Sequence, residues 1–163
     1  MKRALTTLLI ITLCCLAHAT IPPLLPMPQK STFTGKYVKD DVPVNEKIVS
    51  HIDGAIFQDE AYHIHITSKG VNIEATTQRG LYWARQTMAQ LTTDKNGKRL
   101  LPLCEITDWP AFRIRGYMHD IGRSYIPMDE LKAEIAMLSR FKINTFHWHL
   151  TENQAWRLES KLY

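Results

Sequence analysis

The sequence predicts a small α+β module followed by the first strand–helix–strand unit of a parallel α/β domain. Three observations carry that expectation. Ala61–Thr67 and Val71–Ala75 alternate polar and apolar residues around Ser68-Lys69-Gly70, as the arms of a half-buried hairpin do. Leu81, Ala84, Met88 and Leu91 recur at helical spacing within Gly80–Leu91. From Arg113 to Leu150 a mixed run, a helical run and a second mixed run follow directly, the crossover that parallel strands need.

Taken in order, the chain of 163 residues starts with a stretch that reads as an export leader. Lys2 and Arg3 form a basic start, Ala4–Leu16 is mostly apolar, and Ala17-His18-Ala19 is a small-x-small cleavage site. An uncleaved anchor is the other reading, but the run is short for a bilayer span and no second one follows. Residues 1–19 are therefore assigned to a signal peptide. Export to the periplasm or the medium is expected, with no stable membrane span after cleavage. Cleavage removes Cys14 and Cys15 and leaves Cys104 alone, so the mature chain is stabilised by core burial and not by a disulfide. The formal charge of +4 includes Lys2 and Arg3, so +2 remains. No Lys/Arg cluster stands out, which argues against a nucleic-acid partner.

Residues 20–110 make the small module. Ile21–Pro28 is proline-rich and must run extended. Lys30–Asp53 is polar with scattered Val and Ile, room for one or two short strands. After the hairpin, Thr76–Arg79 leads into the helix, with Gln78, Arg79 and Gln86 as cap and surface residues. Asp94–Lys98 is a turn in which Asn96-Gly97 is the hairpin signal. Leu101–Ile106 is the last strand, and Asp108-Trp109-Pro110 closes the module. In residues 111–163, Arg113–His119 is a strand. Pro127 and Asp129 open a helix with Leu131, Ile135 and Leu138 on one face, and Ile143–Leu150 is the second strand.

Few residues could carry chemistry. His147 and His149 face the same side of their strand, so they could share a metal or form a buried, hydrogen-bonded pair. No third ligand of obvious spacing follows, so no metal is assigned. His63 and His65 repeat the pattern and read as a solvated face. Adjacent carboxylates occur at Asp59-Glu60, before a strand, and at Asp129-Glu130. The second pair sits at a helix start, where acidic side chains complement the dipole and cap N–H groups.

Two blocks, RGYMHDIGR from Arg115 and KINTFHWHLTENQAWRLE from Lys142, resemble the start of the catalytic barrel of glycoside hydrolase family 20, the β-N-acetylhexosaminidases. The typical form there is RG-x-x-x-D-x-x-R, a helix, then K-x-N-x-x-H-W-H-L-x-[DE]-[DN]-Q-x-W-R. Ala61–Pro110 resembles the domain that precedes this barrel, with its strand pair, RG-x-x-x-x-x-Q-T-x-x-Q-L and a strand ending in D-x-P. Val44–Glu60 is shorter than that pattern, which leaves room for one element fewer.

The resemblance implies a (β/α)₈ barrel of about 250 residues, truncated here after β–α–β, behind an α+β accessory domain without chemistry of its own. It implies hydrolysis of terminal GlcNAc or GalNAc from N-acetylhexosamine-terminated glycans, with no cofactor. The 2-acetamido oxygen of the substrate is the nucleophile, and an Asp-Glu pair orients it and protonates the leaving oxygen. That pair ends the fourth strand and is expected beyond residue 163; neither Asp-Glu pair in the chain fits. The chain alone is therefore expected to be inactive, and its open sheet edges and apolar patches to make it poorly soluble. Arg123 matches the arginine that binds the C3 and C4 hydroxyls, a fork suited to a vicinal diol. Glu152 matches a carboxylate linked through a later histidine to the catalytic acid; it is commonly Asp, one methylene shorter. Asn153 and His149 join the supporting network, and Asp120 and Arg115 read as framework groups of the barrel rim. Ser124 replaces the usual His. Trp148 and Trp156 could stack on sugars, though a Trp on a barrel strand is more often core. The alternative is a non-catalytic remnant or interaction module. Against it stand open sheet edges and an apolar surface including Phe141, Phe146 and Trp148.

Overall fold

The computed structural model describes residues 23–162. The leader and its cleavage site lie outside those residues. Among the described residues, no helix is long and apolar enough to cross a membrane.

The module is one twisted sheet with a helix on it. Its strands are β1 (Lys30–Lys39), β2 (Val44–Ile48), β3 (Tyr62–Thr67), β4 (Gly70–Ala75), β5 (Thr93–Lys95) and β6 (Lys98–Asp108), and its helix is α1 (Gln78–Leu91). The order across the sheet is β1-β6-β3-β4-β2, with β5 paired to β6. All neighbours are antiparallel except β2 and β4. Alternation decides the buried face: Tyr62, Ile64 and Ile66 from β3 and Val71, Ile73 and Ala75 from β4 meet Leu81, Ala84 and Leu91 of α1. The expected hairpin and helix are therefore present: the first arm starts one residue later than the alternation indicated, the second one residue earlier, and the helix two residues earlier. Lys30–Asp53 holds two strands, and the first is ten residues long. The short segment before β3 carries a 3₁₀ turn, Gln58–Glu60.

Local chemistry explains the boundaries. Thr77, not Gln78 or Arg79, caps α1, its hydroxyl accepting from the N–H groups of Arg79 and Gly80. Gly80 is required by contact: a Cβ there would stand 2.6 Å from the carbonyl oxygen of Ala61. Asn96 and Gly97 both have positive φ, 56° and 73°, as a tight β5–β6 hairpin turn demands. The proline-rich arm is clamped by Gln90, whose amide exchanges two 2.8 Å hydrogen bonds with Leu25 and donates a third to the carbonyl of Arg140.

Beyond the module lie β7 (Gly116–Asp120), α2 (Met128–Arg140) and β8 (Thr145–His149), with β7 and β8 parallel. Two short strands, β9 (Thr151–Glu152) and β10 (Ala155–Trp156), form a hairpin after them. Both long strands start later than the sequence indicated, because the residues before them are bound side-on. The Arg115 side chain donates to the carbonyls of Phe112 and Lys142, and its N–H donates to the Asn144 amide oxygen. At α2, Asp129 and Glu130 stand in the first turn but make no capping hydrogen bond; the cap residue is Pro127. Their contribution is to the helix dipole alone. Of the α2 apolar face, Leu131 is buried, Leu138 half-buried and Ile135 exposed.

The two parts meet through buried polar groups. Lys142 donates from Nζ to Tyr62 Oη and Asp108 Oδ2, both at 2.7 Å, and the Tyr62 hydroxyl also contacts Thr87. Arg115 pairs with Glu60 at 2.5 Å, and the Asn144 amide donates to the other Glu60 oxygen. Burial pulls the Lys142 ammonium below the usual lysine range, against the opposing pull of Asp108. Lys142 holds a positive φ of 59° at the turn before β8. Glu60 is 4% exposed and serves the junction, which explains the first Asp-Glu pair.

Candidate functional site

The parallel register sets Asp120 against His149, the last residues of β7 and β8. Both side chains therefore emerge at the carboxyl ends of the strands. The Ile121 N–H donates to the His149 carbonyl at 3.0 Å, which carries the ladder one step further. The chain then turns through Gly122 to Arg123. On the other side, the β9–β10 hairpin folds Glu152 back over Gly122. Arg157 holds that hairpin down: its N–H donates to the Leu150 carbonyl, and its Nε donates to the Ile121 carbonyl at 2.9 Å.

Four charged or titratable groups result. Arg123 Nε donates to Asp120 Oδ2 at 2.5 Å, and the Arg123 N–H donates to Asp120 Oδ1 at 3.1 Å. Glu152 Oε1 lies 4.0 Å from Arg123 Nε and 3.3 Å from His149 Nε2. The Asn153 N–H donates to Glu152 Oε2. The Arg123 guanidinium beside Asp120 holds that carboxyl below the usual carboxylate range, and Asp120 raises the arginine in return. Arg123 spends Nε on Asp120, its side chain is 64% exposed, and among the described residues neither terminal nitrogen has a hydrogen-bond partner. The arrangement offers unspent donors on an exposed guanidinium plane beside a carboxylate with unused acceptor capacity, a fitting receptor for neighbouring hydroxyls.

Asp120, His149 and Glu152 each offer one ligand atom within 4.8 Å of the others, the spacing of a cation site. Arg123 already supplies the positive charge there, bonded to one carboxylate and 4.0 Å from the other. The third group that the histidine pattern lacked comes from the neighbouring strand and the following hairpin, so spacing along β8 could not reveal it.

Several expectations change. Arg123, Asp120, His149 and Glu152 come together, and the Asn153 backbone joins them. Arg115 stands at the opposite end of β7 and belongs to the junction with Glu60. His147 is exposed and not in a buried pair, its ring 5.9 Å from that of His149. Trp148 faces away from His149, as the alternation of a strand requires. It lines an apolar cleft of about 270 Å³ with Tyr125, Leu131, Leu150 and Leu158, and is 40% exposed rather than core. Trp156 is exposed as well. His65 is exposed, as expected for a solvated face, whereas His63 is half-buried and bonds the Thr107 hydroxyl. Gly122 and Arg157 were missed; the quoted motif contains both, but their roles need the fold of the hairpin over the turn.

The family model described as glycosyl hydrolase family 20, domain 2, matches residues 29–109, and that for the catalytic domain of the same family matches residues 112–163. A β-hexosaminidase of Porphyromonas gingivalis is 37% identical over 129 residues, 74% of this chain and 17% of that protein. A β-hexosaminidase of Vibrio furnissii is 38% identical over 101 residues, 62% of this chain and 16% of that protein. The chain thus spans about a sixth of the length of these curated relatives. Among solved structures, the GH20 exo-β-N-acetylglucosaminidase of Vibrio harveyi in complex with N-acetylglucosamine aligns with a TM-score of 0.75 at 26% identity, covering 90% of this chain and 28% of that one. The β-N-acetylhexosaminidase of Bacteroides fragilis aligns with a TM-score of 0.75 at 26% identity over 88% of this chain and 36% of that one.

Proposed function

The chain belongs to glycoside hydrolase family 20, and from that premise we propose that it supplies the accessory domain and the opening β–α–β of a (β/α)₈ barrel that removes terminal GlcNAc or GalNAc from glycans. The mechanism is substrate-assisted and retaining: the 2-acetamido oxygen attacks the anomeric carbon, and the leaving oxygen takes a proton from a protein carboxyl. Within that scheme Arg123 binds the sugar. One observation carries the assignment: Asp120 holds Arg123 through Nε and leaves both terminal nitrogens without a partner among the described residues, at the carboxyl ends of parallel strands, where barrel active sites form. Glu152, flanked by His149 and Asn153, borders the same space and sets its acidic wall. The supporting group is thus Asp120, His149, Glu152 and Asn153. We assign the protein to the export route, on its first 19 residues.

The catalytic acid is not among these groups. Glu60 is committed to Arg115, and Asp129-Glu130 stands in the first turn of α2, so neither adjacent pair faces Arg123. Titration of the purified chain with methyl N-acetyl-β-D-glucosaminide, followed by NMR, tests the sugar assignment. Shifts at Arg123, Glu152 and His149 that vanish with the 3-deoxy analogue and in Arg123→Ala are expected. Equal shifts for sugar and analogue would remove Arg123 from the pocket. The chain alone should not turn over a chromogenic N-acetylglucosaminide; measurable turnover would overturn the placing of the acid outside it.

A further inference from the structure

We infer that Gly122 is a positioning residue of the sugar pocket: its missing side chain lets Asp120 and Glu152 close on Arg123 from two sides. The inference rests on the reading of Arg123 as the sugar-binding group. A Cβ at Gly122 would stand 3.1 Å from Glu152 Cβ, 3.2 Å from Glu152 Cγ and 3.2 Å from Asp120 Oδ1. Those distances are tighter than ordinary van der Waals contact, so both carboxylate-bearing side chains would have to give way by a few tenths of an ångström.

Backbone conformation does not explain the glycine. The positive-φ glycines of the described residues are Gly35, Gly54, Gly70 and Gly97, and Gly122 is not among them. Its φ lies outside the left-handed region, so a side chain there would meet crowding and not backbone strain. The residue is buried between β7 and the β9–β10 hairpin, and the side chains it admits are the two that flank Arg123. The crowded oxygen, Asp120 Oδ1, is the one that accepts the Arg123 N–H. A methyl group at 122 therefore presses on the acceptor that seats Arg123 and on the stem of Glu152. Its effect on the sugar runs through those two groups, because Gly122 itself offers no side-chain atom to a ligand.

The test is Gly122→Ala in the full chain, read first without sugar. Arg123 Nε–H, bonded to Asp120, should give a protected, downfield NMR signal in the parent. In Gly122→Ala that signal should shift and exchange faster, while the circular dichroism and the amide spectrum of α1 and the main sheet stay unchanged. In a Glu152→Gly background, which removes two of the three crowding carbons and oxygens, the same alanine should disturb the signal less. An unchanged Nε–H signal in Gly122→Ala, or an equal disturbance in both backgrounds, would overturn the inference. The second readout is the methyl N-acetyl-β-D-glucosaminide titration, where Gly122→Ala should weaken binding about tenfold, the scale of one charge-assisted hydrogen bond. If the parent binds no sugar but the Nε–H signal responds, the sugar reading falls and the positioning role stands. If the parent binds and Gly122→Ala binds equally, the positioning role falls and the sugar reading stands.

Discussion

The two ends of β7 and β8 present the same residue chemistry in opposite states. At the amino ends, Arg115, Lys142 and Asn144 meet Glu60, Asp108 and Tyr62 in a buried network where each charge has a partner. At the carboxyl ends, Asp120, Arg123, His149 and Glu152 form a half-open group that leaves donors and acceptors unspent. Burial makes the difference. A closed network in low dielectric orders the chain and tolerates no missing member, whereas an open one keeps capacity for a ligand. The quoted family motifs include residues of both kinds, so membership of a motif does not by itself mark a group that touches substrate.

The contrast predicts large stability effects at one end. Lys142→Met leaves Asp108 and the Tyr62 hydroxyl buried without their ammonium, and should cost about 3–5 kcal/mol in urea unfolding. A loss below about 1 kcal/mol would mean that water enters the junction and that the contrast in burial is wrong. Gly80→Ala drives a Cβ against the Ala61 carbonyl beneath α1 and should cost about 1–3 kcal/mol by overpacking. Thr77→Ala removes the α1 cap and should cost about 1 kcal/mol. At the open end, Arg123→Ala should leave the urea unfolding midpoint unchanged while abolishing sugar-dependent shifts. A large loss of stability from Arg123→Ala would make that end structural and erase the distinction.

What the sequence made legible follows the range of each interaction. The β3–β4 hairpin, α1 and the Asn96-Gly97 turn are local patterns, and they appear where the periodicity put them. The junction was illegible because its partners are far apart in sequence, with Glu60 meeting a residue 55 positions away. Nothing local to Glu60 announces Arg115. The site was half legible: Asp120 and Arg123 are three apart and pair directly. Their meeting with His149 and Glu152 depends on a parallel register and a hairpin that no spacing rule supplies. His147 is exposed where a buried pair was the favoured reading, whereas Trp148, at 40% exposure, lies on the apolar surface that the open β–α–β unit was expected to leave.

The smallest effect, and the one that separates the two ends most finely, is acid titration of the Asp120–Arg123 pair. The folded carboxyl of Asp120 lies below its ordinary value because Arg123 bonds the ionised form. A depressed carboxylate contributes above its unfolded pKa, about 3.9, and loses that contribution as the pH falls through the folded value. The Arg123 Nε–H signal should therefore hold constant from neutral pH down to the usual carboxylate range and be lost only below it. Asp120→Asn should remove the acid transition and leave a weaker, pH-independent signal, since an amide oxygen accepts without charge. Loss of the parent's signal at or above the ordinary aspartate pKa would show that Asp120 does not hold Arg123 in solution. The terminal nitrogens would then have no fixed plane to present to a sugar, and the open end would be a loose surface pair of the kind that contributes little.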